Sequence, residues 1–249
     1  MPTCIALIVA AGRGARFGGP VPKQYAVLGG KTVLRHTVDA LAACPSIGDV
    51  RVVIAAGDEA LYAAATNGLT LPAPVLGGVS RQHSVLNGLE ALANQAPDFV
   101  AIHDAARPFV DRAQVDACLS AAAQSGIDGA VLGIPLADTL KRVDAANAIT
   151  ETVPRTRLWR AQTPQVFRFA SLLAAHRRAA TLGNEEATAL TDDAAVAELA
   201  GLKVVMVPGS EDNRKITTGD DLVRVAGETF LVRDRNAAQH HRVPLGKAV

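Results

Sequence analysis

Two stretches of this chain carry residues whose types and spacing could do phosphate chemistry. The first is Ala10-Ala11-Gly12-Arg13-Gly14-Ala15-Arg16, followed by Lys23 beyond Pro20 and Pro22. Small residues and glycines let a backbone pass close to a ligand and adopt turns denied to other residues. Backbone N–H groups in such a loop form a concavity for anions, and Arg16 and Lys23 add full charges on a segment that the prolines stiffen. These features describe a triphosphate cradle; the plain alternative is a structural strand-to-helix turn. The second stretch is His103-Asp104-Ala105-Ala106-Arg107-Pro108. A carboxylate just past a buried strand is placed to hold Mg²⁺, which takes one or two carboxylates together with phosphate oxygens. Arg107 could steer a further phosphate. Read alone, the same residues serve equally well as an Asp helix cap beside a surface Arg. His103 reads as a packed side chain, since no second His or Cys stands at metal-ligand spacing.

Smaller signals stand around these two. Gly77-Gly78 would let backbone groups approach a flat base edge, with Ser84 about a turn into the next helix, although a simple turn explains the glycines too. Lys215, in Asp212-Asn213-Arg214-Lys215-Ile216-Thr217, follows a late strand and could reach the same rim; in isolation it is a surface charge. Thr163-Pro164-Gln165 and Thr191-Asp192-Asp193 are mute alone, and Thr191 reads as the cap of the helix that follows. Better-known glycine motifs do not fit. Phe17 takes the third glycine place of a dinucleotide fingerprint, Tyr25 takes the first glycine place of a Walker A loop ending at Gly30-Lys31-Thr32, and Gln82 breaks a nucleophile elbow begun by Gly78 and Ser80.

The elements that must position these residues alternate. Ile5–Val9 is a short apolar run rich in β-branched residues, as in a buried parallel strand. Helical spacing covers 32–43, 80–94 and 114–124, and strands are expected at 50–56, 99–102 and 129–134. This β-α-β-α rhythm predicts a mostly parallel twisted sheet with helices on both faces, and ligands then sit at the carboxyl ends of the strands. Gly12-Gly14, Gly77-Gly78 and Asp104 all fall at such ends, which points to one shared site. From Asp138 the rhythm changes. Residues 139–143 and 149–153 alternate around a turn cluster at 144–147, as in a hairpin inserted between parallel strands. Helices at 170–181 and 192–200, a strand at 202–207 and a helix from near Asp220 follow. The expected domain is 1–233, and 234–249 reads as a polar tail or linker.

Composition limits the function classes. With 249 residues and 49% hydrophobic residues the chain can bury a sizeable core. A formal net charge of +1 supplies no bulk field for nucleic acid or an acidic membrane, so any anion site is local. The three cysteines, Cys4, Cys44 and Cys118, are scattered and odd in number, as suits a reducing compartment. No apolar window approaches the roughly eighteen residues of a membrane span. A cytoplasmic location, with no nucleic-acid or membrane partner, is the expectation.

Taken together, the stretches resemble the 2-C-methyl-D-erythritol 4-phosphate cytidylyltransferase family from about Ile5 to Phe230. The resemblance rests on 10–16, Pro22-Lys23-Gln24-Tyr25, Gly77-Gly78, Ser84, 103–108, Asp138-Thr139-Leu140-Lys141-Arg142, Leu158-Trp159, Thr163-Pro164-Gln165, Thr191-Asp192 and Asn213-Arg214-Lys215-Ile216-Thr217. It implies a Rossmann-like nucleotide-diphospho-sugar transferase fold with a β-arm at about 136–161. The implied reaction joins CTP to methylerythritol phosphate and releases pyrophosphate, with Mg²⁺ or another divalent cation. It implies catalytic roles for Arg16, Lys23, Arg155 and Lys215, nucleotide contacts at Ala11, Gly12, Gly14, Gly78, Ser84 and Ala105, and a metal on Asp104. Arg107, Thr139, Thr163 and Thr191 would face the polyol phosphate. It also implies a homodimer interlocked through the arms, and a tail that some relatives continue into a cyclodiphosphate synthase domain. Such a displacement needs no enzymic nucleophile, which agrees with the want of a convincing Ser, Cys or His arrangement. The nearest rival is a cytidylyltransferase for another polyol phosphate such as ribitol 5-phosphate, separable at Arg155, Thr163 and Thr191. A non-catalytic nucleotide sensor on the same fold would need the base pocket but not Arg16, Lys23 and Lys215 together.

Overall fold

The computed structural model describes residues 2–14, 17–18, 21–182 and 190–224. Arg16 and the tail at 234–249 therefore lie outside the described residues. Strand β1, Cys4–Ala10, is apolar along its whole length because it is covered on both faces. It lies inside the main sheet, parallel to β4 (Asp49–Ile54) on one side and to β6 (Phe99–Asp104) on the other. A small hairpin, β2 (Val27–Leu28) with β3 (Lys31–Thr32), precedes β4 in the chain, and β5 (Val75–Leu76) pairs parallel with β4 at the sheet's edge.

Successive side chains of β1 enter different cores, as the two-residue period of a strand requires. Ala6 and Ile8 pack with Leu34, Val38 and Leu41 of α1 (Val33–Ala42) and with Val115 and Cys118 of α4 (Arg112–Ala122). Tyr62 and Ala65 of α2 (Glu59–Ala65) join the same cluster. Ile5 and Leu7 pack with Val85 and Leu89 of α3 (Arg81–Ala91) and with Leu172 and Leu173 of α5 (Phe169–Ala179). Helices thus cover both faces. The Thr32, Ser80 and Asp111 side chains accept from the backbone N–H three residues on, so α1, α3 and α4 begin at side-chain caps that the sequence supplies.

The other half of the sheet departs from a simple parallel rhythm. The strands run in the order β11-β7-β10-β6-β1-β4-β5, with β7 at Gly129–Pro135, β10 at Trp159–Arg168 and β11 at Val204–Pro208. Strand β10 is antiparallel to both β6 and β7. Sequence patterning does not anticipate it, because Thr163-Pro164-Gln165 reads as a break. The ladder to β7 shifts register between Ala161 and Gln165, and Pro164 sits in that shift, behind a cis Thr163–Pro164 bond, where no ladder N–H is required of it. The expected hairpin is present as β8 (Leu140–Val143) and β9 (Ile149–Val153), pairing only with each other among the described strands. It ends sooner than expected, since Trp159 and Arg160 already pair with β7.

One cap is corrected. Helix α6, Asp193–Leu199, is capped by the carboxylate of Asp192, which accepts from Ala195 N at 2.9 Å, and not by Thr191, which is exposed. A carboxylate at that end also meets the positive pole of the helix dipole. Among the described residues no helix is long and apolar enough to cross a membrane.

Candidate active site

A pocket of about 580 Å³ opens at the carboxyl ends of β1, β4, β5 and β6. Its first wall is the glycine loop. Ala11 and Gly12 follow β1 directly, and a Cβ on Gly12 would meet nothing within 4 Å. Gly14 has φ +61°, a left-handed conformation that glycine takes at no steric cost. Two side chains fix this loop. Gln24, buried in the short 3₁₀ turn Lys23–Tyr25, donates from Nε2 to Ala10 O at 2.6 Å and Gly12 O at 3.1 Å. Arg13 donates to Asp58 Oδ1 and to Ala56 O, both at 2.8 Å, which ties the loop to the turn after β4. Lys23, the residue before Gln24, lines the pocket, and its stem passes 3.4 Å from the position a Gly14 Cβ would take. Sequence reasoning found Lys23 but missed Gln24 and Arg13 as the fixings. The only signal for Gln24 was a polar residue inside the motif Pro22-Lys23-Gln24-Tyr25.

The second wall adds a packing reason for Gly77-Gly78. A Cβ on Gly77 would come within 2.6 Å of Ala11 Cβ and 2.8 Å of Ser84 Oγ; one on Gly78 would come within 2.5 Å of His83 Cβ. Both residues are small because the loop presses on α3 and on the first wall. Ser84 is buried, its Oγ donating to Ser80 O at 2.8 Å and accepting from Gly78 N at 3.1 Å, so it shapes the loop as well as lining the pocket.

The floor is a charged hub on Asp104. Lys215 Nζ stands 2.8 Å from Asp104 Oδ2, Arg107 Nε stands 3.8 Å from the same oxygen, and Arg81 Nε stands 3.8 Å from Oδ1. Burial pushes the Asp104 carboxyl up, but the three cations outweigh it and hold it well below the usual carboxylate range. Asp104 is therefore an anion at neutral pH. Its backbone N–H donates to Thr163 Oγ1 at 3.0 Å, and the same hydroxyl meets His103 Nδ1 at 3.0 Å. His103 is fully buried, and burial pushes its imidazole down to about 4, so it is neutral and packed at physiological pH. Lys215 reaches the hub because its loop is laced to the Asp104 loop. Arg107 Nη1 donates to Asn213 O at 2.7 Å, Ile216 N donates to Ala106 O at 2.8 Å, and the buried Asn213 side chain donates to Thr163 O at 2.8 Å.

The structure thus brings Ala11, Gly12, Lys23, Gly78, Ser84, Asp104, Ala105 and Lys215 to one pocket, from six separated parts of the chain. Gly14 lies against Lys23 just behind the lining. Arg107 and Thr163 are not among the lining residues; both are engaged beneath the pocket in holding Asp104 and the Lys215 loop. Thr139, Arg155 and Thr191 also fall outside the lining and are exposed, the first two on the arm and the third before α6. Arg81 lines the pocket and touches the hub, and sequence reading missed it because it sat inside a helical pattern.

Among the described residues no cluster of three or more His, Cys, Asp or Glu could form an all-protein metal cage. Asp104 Oδ1 stands 3.8 Å from Arg81 Nε, beyond hydrogen-bond distance, and a single ionised carboxylate with one such oxygen fits a different ion, one that takes most of its ligands from phosphate oxygens and water, as Mg²⁺ does.

The sequence matches the 2-C-methyl-D-erythritol 4-phosphate cytidylyltransferase family over residues 4–232. A bifunctional IspD/IspF enzyme of Rhodospirillum rubrum is 53% identical over 225 residues, covering 90% of this chain and 56% of that protein. The chain therefore spans about half the length of the curated relatives it matches. Among solved structures, 4-diphosphocytidyl-2C-methyl-D-erythritol synthase from Anaerococcus prevotii superposes with a TM-score of 0.78 at 26% identity, covering 92% of this chain and 99% of that one. The Francisella tularensis 2-C-methyl-D-erythritol 4-phosphate cytidylyltransferase gives a TM-score of 0.76 at 30% identity, covering 91% and 99%. A match running from β1 through the glycine loop and the Asp104 hub to the strand and loop that carry Lys215 leaves one conclusion: the chain belongs to the 2-C-methyl-D-erythritol 4-phosphate cytidylyltransferase family.

Proposed function

We propose that this chain transfers the cytidylyl group of CTP to 2-C-methyl-D-erythritol 4-phosphate, giving the CDP-linked alcohol and pyrophosphate, as a step of non-mevalonate isoprenoid synthesis. The observation that carries the reading is the convergence of the glycine loop, Lys23, Gly78, Asp104 and Lys215 on one pocket in a chain of this family. A phosphate oxygen of the acceptor attacks the α-phosphorus of CTP, a P–O bond forms, and the bond to pyrophosphate breaks. Catalysis rests on holding the two phosphates in line and on stabilising charge, so no nucleophile from the protein is required.

The roles follow from charge and position. Arg16 and Lys23 neutralise the α-phosphoryl oxygens and the leaving group. Gly12, Gly14 and Ala11 let the triphosphate approach the backbone, with Gly78, Ser84 and Ala105 around the cytidine. Lys215, at the hub's rim, receives the acceptor phosphate, and Asp104 is the residue that would hold Mg²⁺, whose contribution is to neutralise phosphate charge. Arg155 and Thr139 stand on the exposed arm, and in this reading the arm of a second copy brings them to the neighbouring pocket in a homodimer. Arg107 and Thr163 act by fixing the floor.

Pyrophosphate release with CTP, ATP and GTP against a panel of polyol phosphates tests this reading. Turnover is expected with CTP and methylerythritol phosphate in the presence of Mg²⁺, with weak activity on purine triphosphates. Equal rates with ATP or GTP would remove the cytidine assignment, and a preference for ribitol 5-phosphate would replace the acceptor.

A further inference from the structure

Arg81 is a charged pocket residue that neither the glycine loop nor the phosphate motif accounts for. It opens α3, its guanidinium lines the pocket, and it lies between two carboxylates. Its Nε is 3.8 Å from Asp104 Oδ1, while its Nη2 donates to Asp193 Oδ2 at 2.6 Å. Asp193 has 0% side-chain exposure, and its other oxygen meets the equally buried His176 Nε2 at 3.2 Å. Burial pushes the Asp193 carboxyl up, and Arg81 and His176 bring it down to about 2, so it is an anion. The Arg81 guanidinium is correspondingly held above its ordinary range by Asp193 and Asp104 against its own burial.

Such a pair is costly to build. Each charge taken out of water loses its hydration, and well-packed apolar residues of the same volume often serve stability as well or better. What an ion pair does supply is direction, because a carboxylate fixes a guanidinium in angle as well as distance. Here the direction is indexed to the same strand as the hub. Within β10, Thr163 Oγ1 accepts from Asp104 N at 3.0 Å, and two residues on, Gln165 Oε1 accepts from Asp193 N at 3.1 Å and Ala194 N at 3.0 Å. Gln165 Nε2 also donates to Asp192 Oδ2 at 2.8 Å, binding the cap of α6 into the same set. One strand therefore sets the positions of both carboxylates, and Arg81 bridges them.

We infer that Arg81, anchored from behind by the buried carboxylate of Asp193, is a positioning residue that fixes Asp104 and, through it, the resting place of Lys215 at the phosphate end of the pocket. The inference rests on the cytidylyl-transfer reading above. Asp104 meets Lys215 and Arg107 on Oδ2 and faces Arg81 across 3.8 Å on Oδ1, so Arg81 is the cation that attracts the carboxylate from its second side, by charge and not by a hydrogen bond. Without it the carboxylate is drawn from the Oδ2 side alone, by Lys215 and Arg107, and the resting place of Lys215 shifts with it. A displacement near 1 Å of a group aimed at a reacting phosphate costs on the order of 10²-fold in rate.

Removing Arg81 alone would leave Asp193 buried without its closest cation, so the single variant risks unfolding. The test therefore pairs Arg81→Gln with Asp193→Asn, which removes both charges together, so that no buried carboxylate is left facing a missing guanidinium. Arg81→Lys, which keeps the charge but loses the fork, serves as the conservative variant. Three quantities are read: thermal midpoint, CTP affinity by calorimetry without acceptor, and kcat with the acceptor KM for pyrophosphate release. In the double variant kcat is expected to fall about 10²-fold, with CTP affinity holding within about 3-fold. Arg81→Lys is expected to fall between the double variant and the wild type. A folded double variant with wild-type kcat would overturn the inference and leave Arg81 as half of a structural pair. A loss of CTP affinity large enough to explain the whole effect would also overturn it, by making Arg81 a nucleotide ligand. If the wild-type protein itself releases no pyrophosphate from CTP and methylerythritol phosphate, the underlying reading fails first, and the two failures are told apart.

Discussion

The Asp104 hub and the β8–β9 arm both carry charged residues expected to meet the acceptor, yet they are built on opposite terms. At the hub, Asp104 is nearly enclosed, three cations from different elements surround it, and its backbone, its neighbour His103 and the Lys215 loop are bonded into β10 and β6. On the arm, Arg142 pairs with Glu151 at 2.9 Å and Lys141 donates to Thr152 at 2.7 Å, but these groups are solvated and the two strands have only each other for partners among the described residues. Val143 and Ile149 stay 46% and 65% exposed, so the arm has apolar surface left to cover. A lone two-stranded hairpin is marginal in water. The difference teaches that the hub is organised within one chain, whereas the arm's geometry waits on whatever surface it meets.

The sharpest way to break the comparison is Asp104→Asn. If the hub organises catalysis, this change removes the anion that Lys215, Arg81 and Arg107 share, and turnover is expected to fall by ~10²-fold or more, with a weaker response to Mg²⁺ titration and a folded protein by circular dichroism. Wild-type turnover at limiting Mg²⁺ would reduce Asp104 to a structural anion. A mixing experiment sharpens the other side. Lys23→Ala and Arg155→Ala are each expected to be close to inactive alone. If the arm serves a neighbouring subunit in a symmetric dimer, a heterodimer gathers both lesions into one site and leaves the other intact, so about a quarter of all sites recover after random exchange. With exchange verified by a size or mass tag, no recovery would return Arg155 to its own subunit or remove it from the site.

The last effect concerns stability. The His103 imidazole takes a proton near 6.5 when unfolded but only near 4 in the buried hub. The unfolded chain therefore binds more protons between these values, so stability is full above about 6.5 and falls as pH drops toward 4. At about 1.4 kcal/mol per pH unit of displacement, the loss is on the order of 3 kcal/mol. Urea midpoints at several pH values should show that slope in the wild type and a shallower one in His103→Gln; equal slopes would assign the acid sensitivity elsewhere.

Much of this molecule was legible before its structure. The apolar, β-branched run of β1 needs burial on both faces wherever it is placed, and the 3.6-residue spacing of α1, α3 and α4 dictates helices that cover a sheet. Glycines and Asp104 at the ends of such strands then meet at one rim, because parallel strands all finish on the same side. The sequence therefore determined the sheet's parallel half, the helices and the meeting of the glycine loop and Lys23 at one rim. Tertiary structure alone decided the rest. Strand β10 is interrupted by Pro164 and signals nothing locally, yet Thr163 and Gln165 take their meaning from Asp104 and Asp193, which lie 59 and 28 residues away along the chain. Gly77 and Gly78 are small for α3 and Ala11, contacts that no spacing rule contains. Lys215 was a bare surface charge until Asn213 and Ile216 bound its loop to Thr163 and Ala106. Local pattern fixes which elements form, since periodicity and capping act within a few residues. Which charges share a carboxylate depends on contacts between elements far apart in the chain, and only folding brings those together.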